Sequence, residues 1–165
     1  LMICSELDCK LKDSVVNFLV NEMKLLEEGK CEEWLTLLTD DVSYTMETTL
    51  NSLHTKVEGK DISIFRDNKM SLSIRCEKSR TAYDWIETPP SKVRYHPSKV
   101  IIKGDQREVE VETSLLVYVY RNGKSQVISM LRKDTLSFTD GKLMLRRRKI
   151  EFDADIPDVV FSRIL

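Results

Sequence analysis

Histidine is nearly missing from this chain of 165 residues: His54 and His96 are far apart, and no HxxxH, CxH or CxxH spacing accompanies them. A metal centre built from this chain alone is therefore not expected, since such sites draw several ligands from recognisable spacings. Long apolar runs are missing too. Nothing approaches the ~20 consecutive apolar residues of a membrane-spanning helix. The opening LMICSELDCK carries Ser5, Glu6 and Asp8 where a secretory signal needs an apolar core, so none is expected. Charge of one sign is not in excess, with 26 basic against 27 acidic residues and a net charge of −1. That balance gives no global reason to bind nucleic acid or an anionic membrane. Five glycines and four prolines exclude a collagenous or low-complexity chain. The four cysteines (Cys4, Cys9, Cys31, Cys76) form no CxxC pair and no secreted disulfide framework, so they are expected to be reduced thiols in a cytoplasm. What remains is 41% hydrophobic and 32% charged residues, enough for a core. We expect one soluble domain over 1–165, with 1–12 as a flexible N-terminal extension.

Apolar residues at helical spacing (Leu7, Leu11, Val15, Leu19, Met23, Leu26) predict a long first helix that Gly29 ends. A short second helix is expected over 31–38, stopped by Thr39-Asp40-Asp41, and then a strand in which Val42, Tyr44 and Met46 alternate with polar residues. Residues 47–69 read as a long loop. Over 70–80 the pattern is ambiguous: Met70, Leu72, Ile74 and Cys76 alternate like a strand, the preferred reading, while Met70, Ile74 and Lys78 would stack on a helix; the two prolines in 83–91 read as a loop. The second half is a β-meander. Asn122-Gly123 and Asp140-Gly141 are two-residue hairpin turns between long strands. Helices followed by a meander mean an α+β fold, with helices packed on one face of a strongly curved, mainly antiparallel sheet.

Such a sheet wrapped round helices makes a cone, a natural place for a small apolar ligand. Tyr44, Glu47 and His96 are the pocket candidates, with Tyr83, Asp84, Tyr118 and Tyr120 nearby, because a desolvated carboxylate beside a tyrosine can move protons next to a carbonyl. Against that, strand tyrosines are ordinary β-formers, Asp40-Asp41 can serve turn backbone alone, and His96 before Pro97 reads as a surface residue. The basic run Arg146–Lys149 should split between two faces of a strand and pair with Glu108, Glu110 and Glu112.

Taken in order, several short blocks resemble a known family. They are Glu33-Trp34-Leu35 through Asp40-Asp41-Val42-Ser43-Tyr44; Met70–Arg75 with Tyr83–Ser91 and then Arg94 and Ser98; Arg132, Asp134 and Leu136; and Arg147-Arg148, Ile150, Phe152 and Asp153. Together they are similar to the small (β) subunit of aromatic-ring-hydroxylating dioxygenases, within the NTF2-like (cystatin-like) superfamily. Tyr95, Lys99 and Met130 depart from the family's usual residues. The resemblance implies a cone with N-terminal helices packed in a mixed, mainly antiparallel sheet, and a helix over 70–80 in place of the strand. It also implies no catalytic residue and no cofactor in this chain, the Rieske 2Fe–2S cluster and mononuclear iron belonging to a large (α) subunit. The expected partners are a homotrimer of this chain and the large subunit in an α3β3 complex that dihydroxylates aromatic compounds for catabolism. The interface candidates it implies are Trp85, Pro89, Pro90, Arg94, Arg132 and Arg147.

The competing reading is a free-standing NTF2-like (SnoaL-like) isomerase, dehydratase or small-ligand-binding protein. Isomerases of this fold carry an acid on the first strand that points into the cone. The comparable position here is Met46, and Glu47 falls on the opposite face.

Overall fold

Apolar periodicity, two tight turns and one glycine-ended helix account for most of the architecture. The computed structural model describes residues 2–4, 9–48, 62–85 and 91–153. Along the chain run β1 (Met2–Cys4), α1 (Cys9–Glu27), α2 (Cys31–Leu35), β2 (Leu38–Thr48), β3 (Ile62–Asp67), α3 (Lys69–Trp85), β4 (Lys92–Gly104), β5 (Glu108–Arg121), β6 (Lys124–Thr139) and β7 (Lys142–Phe152). The strands form one seven-stranded sheet in the order β1-β4-β5-β6-β7-β2-β3. β4 to β7 form an antiparallel meander, and β2 joins β7 in parallel. β1 pairs with β4 in parallel through Met2 and Val100, so the stretch expected as an extension contributes an edge strand.

Helix α1 buries Leu11, Val15, Phe18, Leu19, Glu22, Met23, Leu25 and Leu26, a stripe of helical period. Its end is a Schellman turn. Gly29 takes φ 69°, its N–H donates to Leu26 O at 3.2 Å, and that of Lys30 donates to Leu25 O at 2.9 Å. On β5 the odd positions Val109 to Val117 are buried, and on β6 the even positions Ile128 to Leu136. These inward rows and α1 share one core with Trp34, Leu38, Tyr44 and Leu72. The hairpin turns lie where expected: Asn122 and Gly123 have φ 49° and 77°, Asp140 and Gly141 φ 50° and 76°, the paired positive values of a type I′ turn.

Five local expectations are corrected. Thr39-Asp40-Asp41 do not stop a helix but lie inside β2, because α2 ends at Leu35. The expected 47–69 loop contains the end of β2 and all of β3; residues 49–61 between them lie outside the described residues. Residues 70–80 are helix, as the resemblance implied and alternation did not. Asn68 and Ser71 start α3 with reciprocal caps: the Ser71 N–H donates to Asn68 Oδ1 and the Asn68 N–H to Ser71 Oγ, both at 2.9 Å. The helix runs on to Trp85, so Tyr83, Asp84 and Trp85 are not loop; Pro89 and Pro90 are too far along to stop it sooner. The last correction concerns cysteine: Cys31 and Cys76 form a disulfide, with Cα atoms 5.6 Å apart, joining α2 to α3.

One irregularity redirects charge. The register between β6 and β7 shifts at Thr135/Leu136, which face Arg147 and Leu145, leaving Arg146 as an extra residue on β7. The basic run is divided between two faces as expected, but not by strict alternation. Arg146 and Arg147 are both exposed, Lys149 is half-buried, and Arg148 alone is fully buried.

Candidate functional site

Inside the cone, where a ligand of this fold class would sit, four charged side chains meet with no exposed surface or nearly none. Glu22 comes from the buried stripe of α1, Arg132 and Asp134 from the inward row of β6, and Arg148 from β7. Arg148 grips both carboxylates. Its Nε donates to Asp134 Oδ1 at 2.7 Å and its Nη2 to Asp134 Oδ2 at 2.8 Å. Nη2 also donates to Glu22 Oε2 at 2.9 Å, while Nη1 lies 2.6 Å from Glu22 Oε1. Arg132 completes the ring at ion-pair distance, 3.2 Å to Glu22 and 3.1 Å to Asp134. Trp34 Nε1 donates to Glu22 Oε1 at 3.1 Å. Two anions and two cations cancel, which is the condition under which charge survives burial.

Two aromatic rings close the cluster. Tyr44 lies edge-on to Trp34, with centroids 6.2 Å apart and planes at 80°, and the Arg148 guanidinium carbon stands 5.6 Å from the Tyr44 ring centroid. The Tyr44 hydroxyl is buried without a well-aligned hydrogen bond. Tyr95, also buried, belongs to the same core.

Electrostatics decides what this interior can do. Burial works against the charge of Glu22, but Arg148 and Arg132 outweigh it and hold the carboxyl at about 2. Burial pushes the Tyr44 phenol up to about 12, pushes Tyr95 up as well, and Asp134 and Glu22 hold Arg148 well above its ordinary value despite its burial. A general acid or base works best with a pKa near the working pH. Glu22 and Tyr44 are shifted away from it in opposite directions, which makes both poor general acids or bases at neutrality.

The sign of the Glu22 shift gives an expected acid response. Because its carboxyl is held below the ordinary 4.5, its contribution is complete above that value. It is lost as pH falls toward about 2, since the unfolded chain takes up a proton the native state refuses. The loss is about 3 kcal/mol at about 1.4 kcal/mol per pKa unit. Urea midpoints between pH 6 and pH 2.5 should fall accordingly. In Glu22→Gln, destabilised at neutral pH, that fall should be much shallower. An equal slope in both proteins would contradict the assignment.

The other face of the sheet carries different chemistry. On β5 the even residues point outward: Glu108, Glu110 and Glu112 at one end, Leu116, Tyr118 and Tyr120 at the other. Leu116, Tyr118 and Tyr120 expose 41%, 36% and 42% of their surface, and Val127, opposite Tyr118 on β6, exposes 60%. Arg94 and His96 of β4 stand opposite Tyr118 and Leu116. Toward β7 the face is a ladder of ion pairs. Lys149 reaches Glu47 at 2.7 Å and Glu151 at 3.2 Å, Lys133 reaches Glu151 at 3.0 Å, and Arg146 reaches Glu108 at 3.4 Å and Asp41 at 3.5 Å.

The pocket candidates are thus not brought together. Tyr44 is inside; Glu47 is paired on the outer face, with Met46 buried on the inner side; His96 is exposed on β4, inside a strand that Pro97 bends at a register shift. Tyr118 and Tyr120 are outside, and Asp40 pairs with Lys69 at 2.7 Å. Of the interface candidates, Arg94 is exposed and pairs with Glu27 at 3.1 Å, while Arg147 is exposed. Arg132 is corrected: it is fully buried within its own chain and has no surface to offer a partner. Trp85 ends α3, its side chain and Pro89 and Pro90 lying outside the described residues. Glu22 and Asp134 escaped notice as interior charges. The signal was present, since Glu22 falls on the apolar stripe of α1, and Arg132 and Asp134 fall on the inward alternation Ile128, Met130, Leu136.

For a metal the donor set does not fit. Among the described residues no three His, Cys, Asp or Glu side chains are grouped as a metal site. Cys31 and Cys76 are committed to each other, and both buried carboxylates are committed to arginine.

Comparison with known proteins agrees with this picture. The sequence model of the family described as "Ring hydroxylating beta subunit" matches residues 21–158. The N,N-dimethyl phenylurea N-demethylase subunit beta of Sphingobium sp. (strain YBL2) is 33% identical over 145 residues, 84% of this chain and 82% of that one. The benzene 1,2-dioxygenase subunit beta of Pseudomonas putida is 32% identical over 135 residues, 77% of this chain and 72% of that one. Among solved structures, a chain of naphthalene 1,2-dioxygenase, determined with indole in the active site, superposes with a TM-score of 0.81 at 17% identity. It covers 96% of this chain and 87% of that one. At that identity the likeness concerns the fold, the mixed α+β cystatin-like cone read from the sequence. Sequence blocks, fold and relatives converge, and the chain belongs to the β-subunit family of ring-hydroxylating dioxygenases.

Proposed function

We propose that this chain is the structural subunit of a dioxygenase that adds both atoms of O2 to an aromatic ring, contributing assembly and not chemistry. The observation that carries the reading is the interior. Among the described residues the cone of this fold holds a neutral lattice of Glu22, Arg132, Asp134 and Arg148 beside Trp34 and Tyr44, with Glu22 and Tyr44 shifted away from neutrality in opposite directions. A free-standing isomerase or dehydratase would need an accessible acid or base in that place. We assign the Rieske 2Fe–2S cluster and the mononuclear iron to a large subunit: among the described residues no three His, Cys, Asp or Glu side chains are grouped as a metal site, and Cys31 and Cys76 are bonded to each other.

The working surface is then the outside. Leu116, Tyr118, Tyr120 and Val127 form an apolar patch rimmed by Arg94 and His96, the composition of an interface centre with a polar rim. We assign this patch to contact between copies of the chain in a homotrimer. Arg147 and the stretch from Trp85 through Pro89 and Pro90 are assigned to the large subunit, in an α3β3 complex in the cytoplasm. By name the relatives belong to enzymes of different compounds, a phenylurea and benzene, and we assign the choice of substrate to the large subunit. Native mass tests the reading. The chain alone should behave as a trimer. Co-expressed with any iron–sulfur large subunit encoded beside it, it should run as one coloured hexamer. A monomer that ignores the large subunit would overturn the proposal.

A further inference from the structure

Among its described residues α3 is tied to the rest of the chain by a small apolar seam, ion pairs and one covalent bond. Among its described side chains Leu72 and Cys76 are the buried ones, whereas Met70 and Ile74 expose 75% and 48% of their surface. Lys69 reaches Leu38 O at 3.0 Å and Asp40 at 2.7 Å, and Arg75 reaches Asp67 at 3.0 Å. Asp40 is almost wholly exposed, so the Lys69–Asp40 pair holds little in water, whereas the Asp67 side chain is largely buried. A further tie is covalent. The Cys31–Cys76 bond spans 45 positions, with Cys76 only 4% exposed and Cys31 half-buried on α2 against the core. Cα atoms 5.6 Å apart place both backbones at the usual spacing of a bridge.

We propose that the Cys31–Cys76 pair is a redox-dependent clamp on α3: oxidised, it docks the helix against α2; reduced, it leaves α3 to its noncovalent contacts, Leu72 and the Lys69–Asp40 and Arg75–Asp67 pairs among them, and able to open while the β-meander stays folded. The exchange balances with a small dithiol as reductant. Its thiolate attacks Cys31 Sγ, the more accessible sulfur, forming a mixed disulfide as the Cys31–Cys76 bond breaks, and Cys76 leaves as a thiolate that takes up a proton. The second thiol of the reductant then displaces Cys31, which is released as a thiol, and the reductant departs as a cyclic disulfide. Two electrons and two protons pass to the protein. A low-molecular-weight disulfide such as oxidised glutathione reverses the exchange, becoming two thiols. α3 ends at Trp85, so the clamp also fixes the helix that leads into the stretch assigned above to the large subunit. That consequence rests on the proposed function; the clamp itself does not.

The test uses the full chain without a partner, so its failure is separate from any failure of assembly. Denatured and alkylated after treatment with oxidised glutathione, the chain should show two of its four thiols, and all four after dithiothreitol. Amide hydrogen exchange over Lys69–Trp85 should quicken by about tenfold or more on reduction, while β5, β6 and β7 keep their rates within about twofold, as expected for a local opening. A Cys31→Ser/Cys76→Ser variant should exchange like the reduced chain and ignore dithiothreitol. Four free thiols after oxidised glutathione would overturn the clamp. So would equal α3 exchange in the two states, or parallel quickening of α3 and the meander.

Discussion

Replacing Arg148 by methionine should cost about 3–5 kcal/mol, the penalty for breaking a buried ion pair from one side. Arg148 is fully buried and makes two-point contacts with both Glu22 and Asp134, so its loss leaves two buried carboxylates to share Arg132. Against a total stability of about 5–15 kcal/mol, that is a large fraction. For a chain of this size it corresponds to a fall in melting temperature of about 10 °C, at roughly 2–4 °C per kcal/mol. Methionine keeps much of the volume, so the effect reports charge more than cavity. The sharper readout is a cycle with Glu22→Leu. If the two charges matter to each other, the double variant should lose clearly less than the sum of the singles, with a coupling of about 1–3 kcal/mol. Urea unfolding followed by tryptophan fluorescence measures all four corners. A loss under about 1 kcal/mol for Arg148→Met would contradict the buried lattice.

The second large effect should appear on the opposite face. Leu116→Asp with Tyr118→Asp places two charges in the apolar patch while leaving the inward row of β5 untouched. Exposed substitutions of this kind change folding stability by about 0.5 kcal/mol or less. At the centre of an interface, each residue of a hot-spot cluster is worth about 2 kcal/mol or more. The pair should therefore weaken self-association by about a thousandfold, since 1.4 kcal/mol is tenfold. Sedimentation velocity across a dilution series should show a folded monomer where the parent chain is expected to run as a trimer. Unchanged association would remove this patch from the interface.

The contrast between these two faces explains what could be read in advance. Asn122-Gly123 and Asp140-Gly141 announce their turns because few residue pairs tolerate two positive φ values in succession. Gly29 announces the end of α1 for the same steric reason. Segment 70–80 misled because Met70, Leu72, Ile74 and Cys76 alternate like a strand, yet only Leu72 and Cys76 are buried, four residues apart on one helix face. The interior lattice was hidden by residue type. Arg132, Asp134 and Glu22 fill apolar-pattern positions, but charged residues read singly suggest surface, and only their mutual neutralisation lets them stay inside. Two features leave no local trace. The bulge that turns Arg146 and Arg147 the same way depends on cross-strand register, and the Cys31–Cys76 pairing depends on how α2 meets α3.

The central claim is that this chain supplies surface and not chemistry, and Tyr44→Phe tests it most directly. Of Tyr44, Glu47 and His96, Tyr44 is the one that lies inside the cone, and its hydroxyl makes no more than a poorly aligned contact with Arg148, so phenylalanine should fold and assemble normally. The measurement is aromatic-substrate turnover per large-subunit iron, in complexes whose native mass matches the parent. The account expects the same turnover within about twofold. A drop of tenfold or more, about 1.4 kcal/mol in barrier, in an intact complex would place chemistry inside this chain and contradict it.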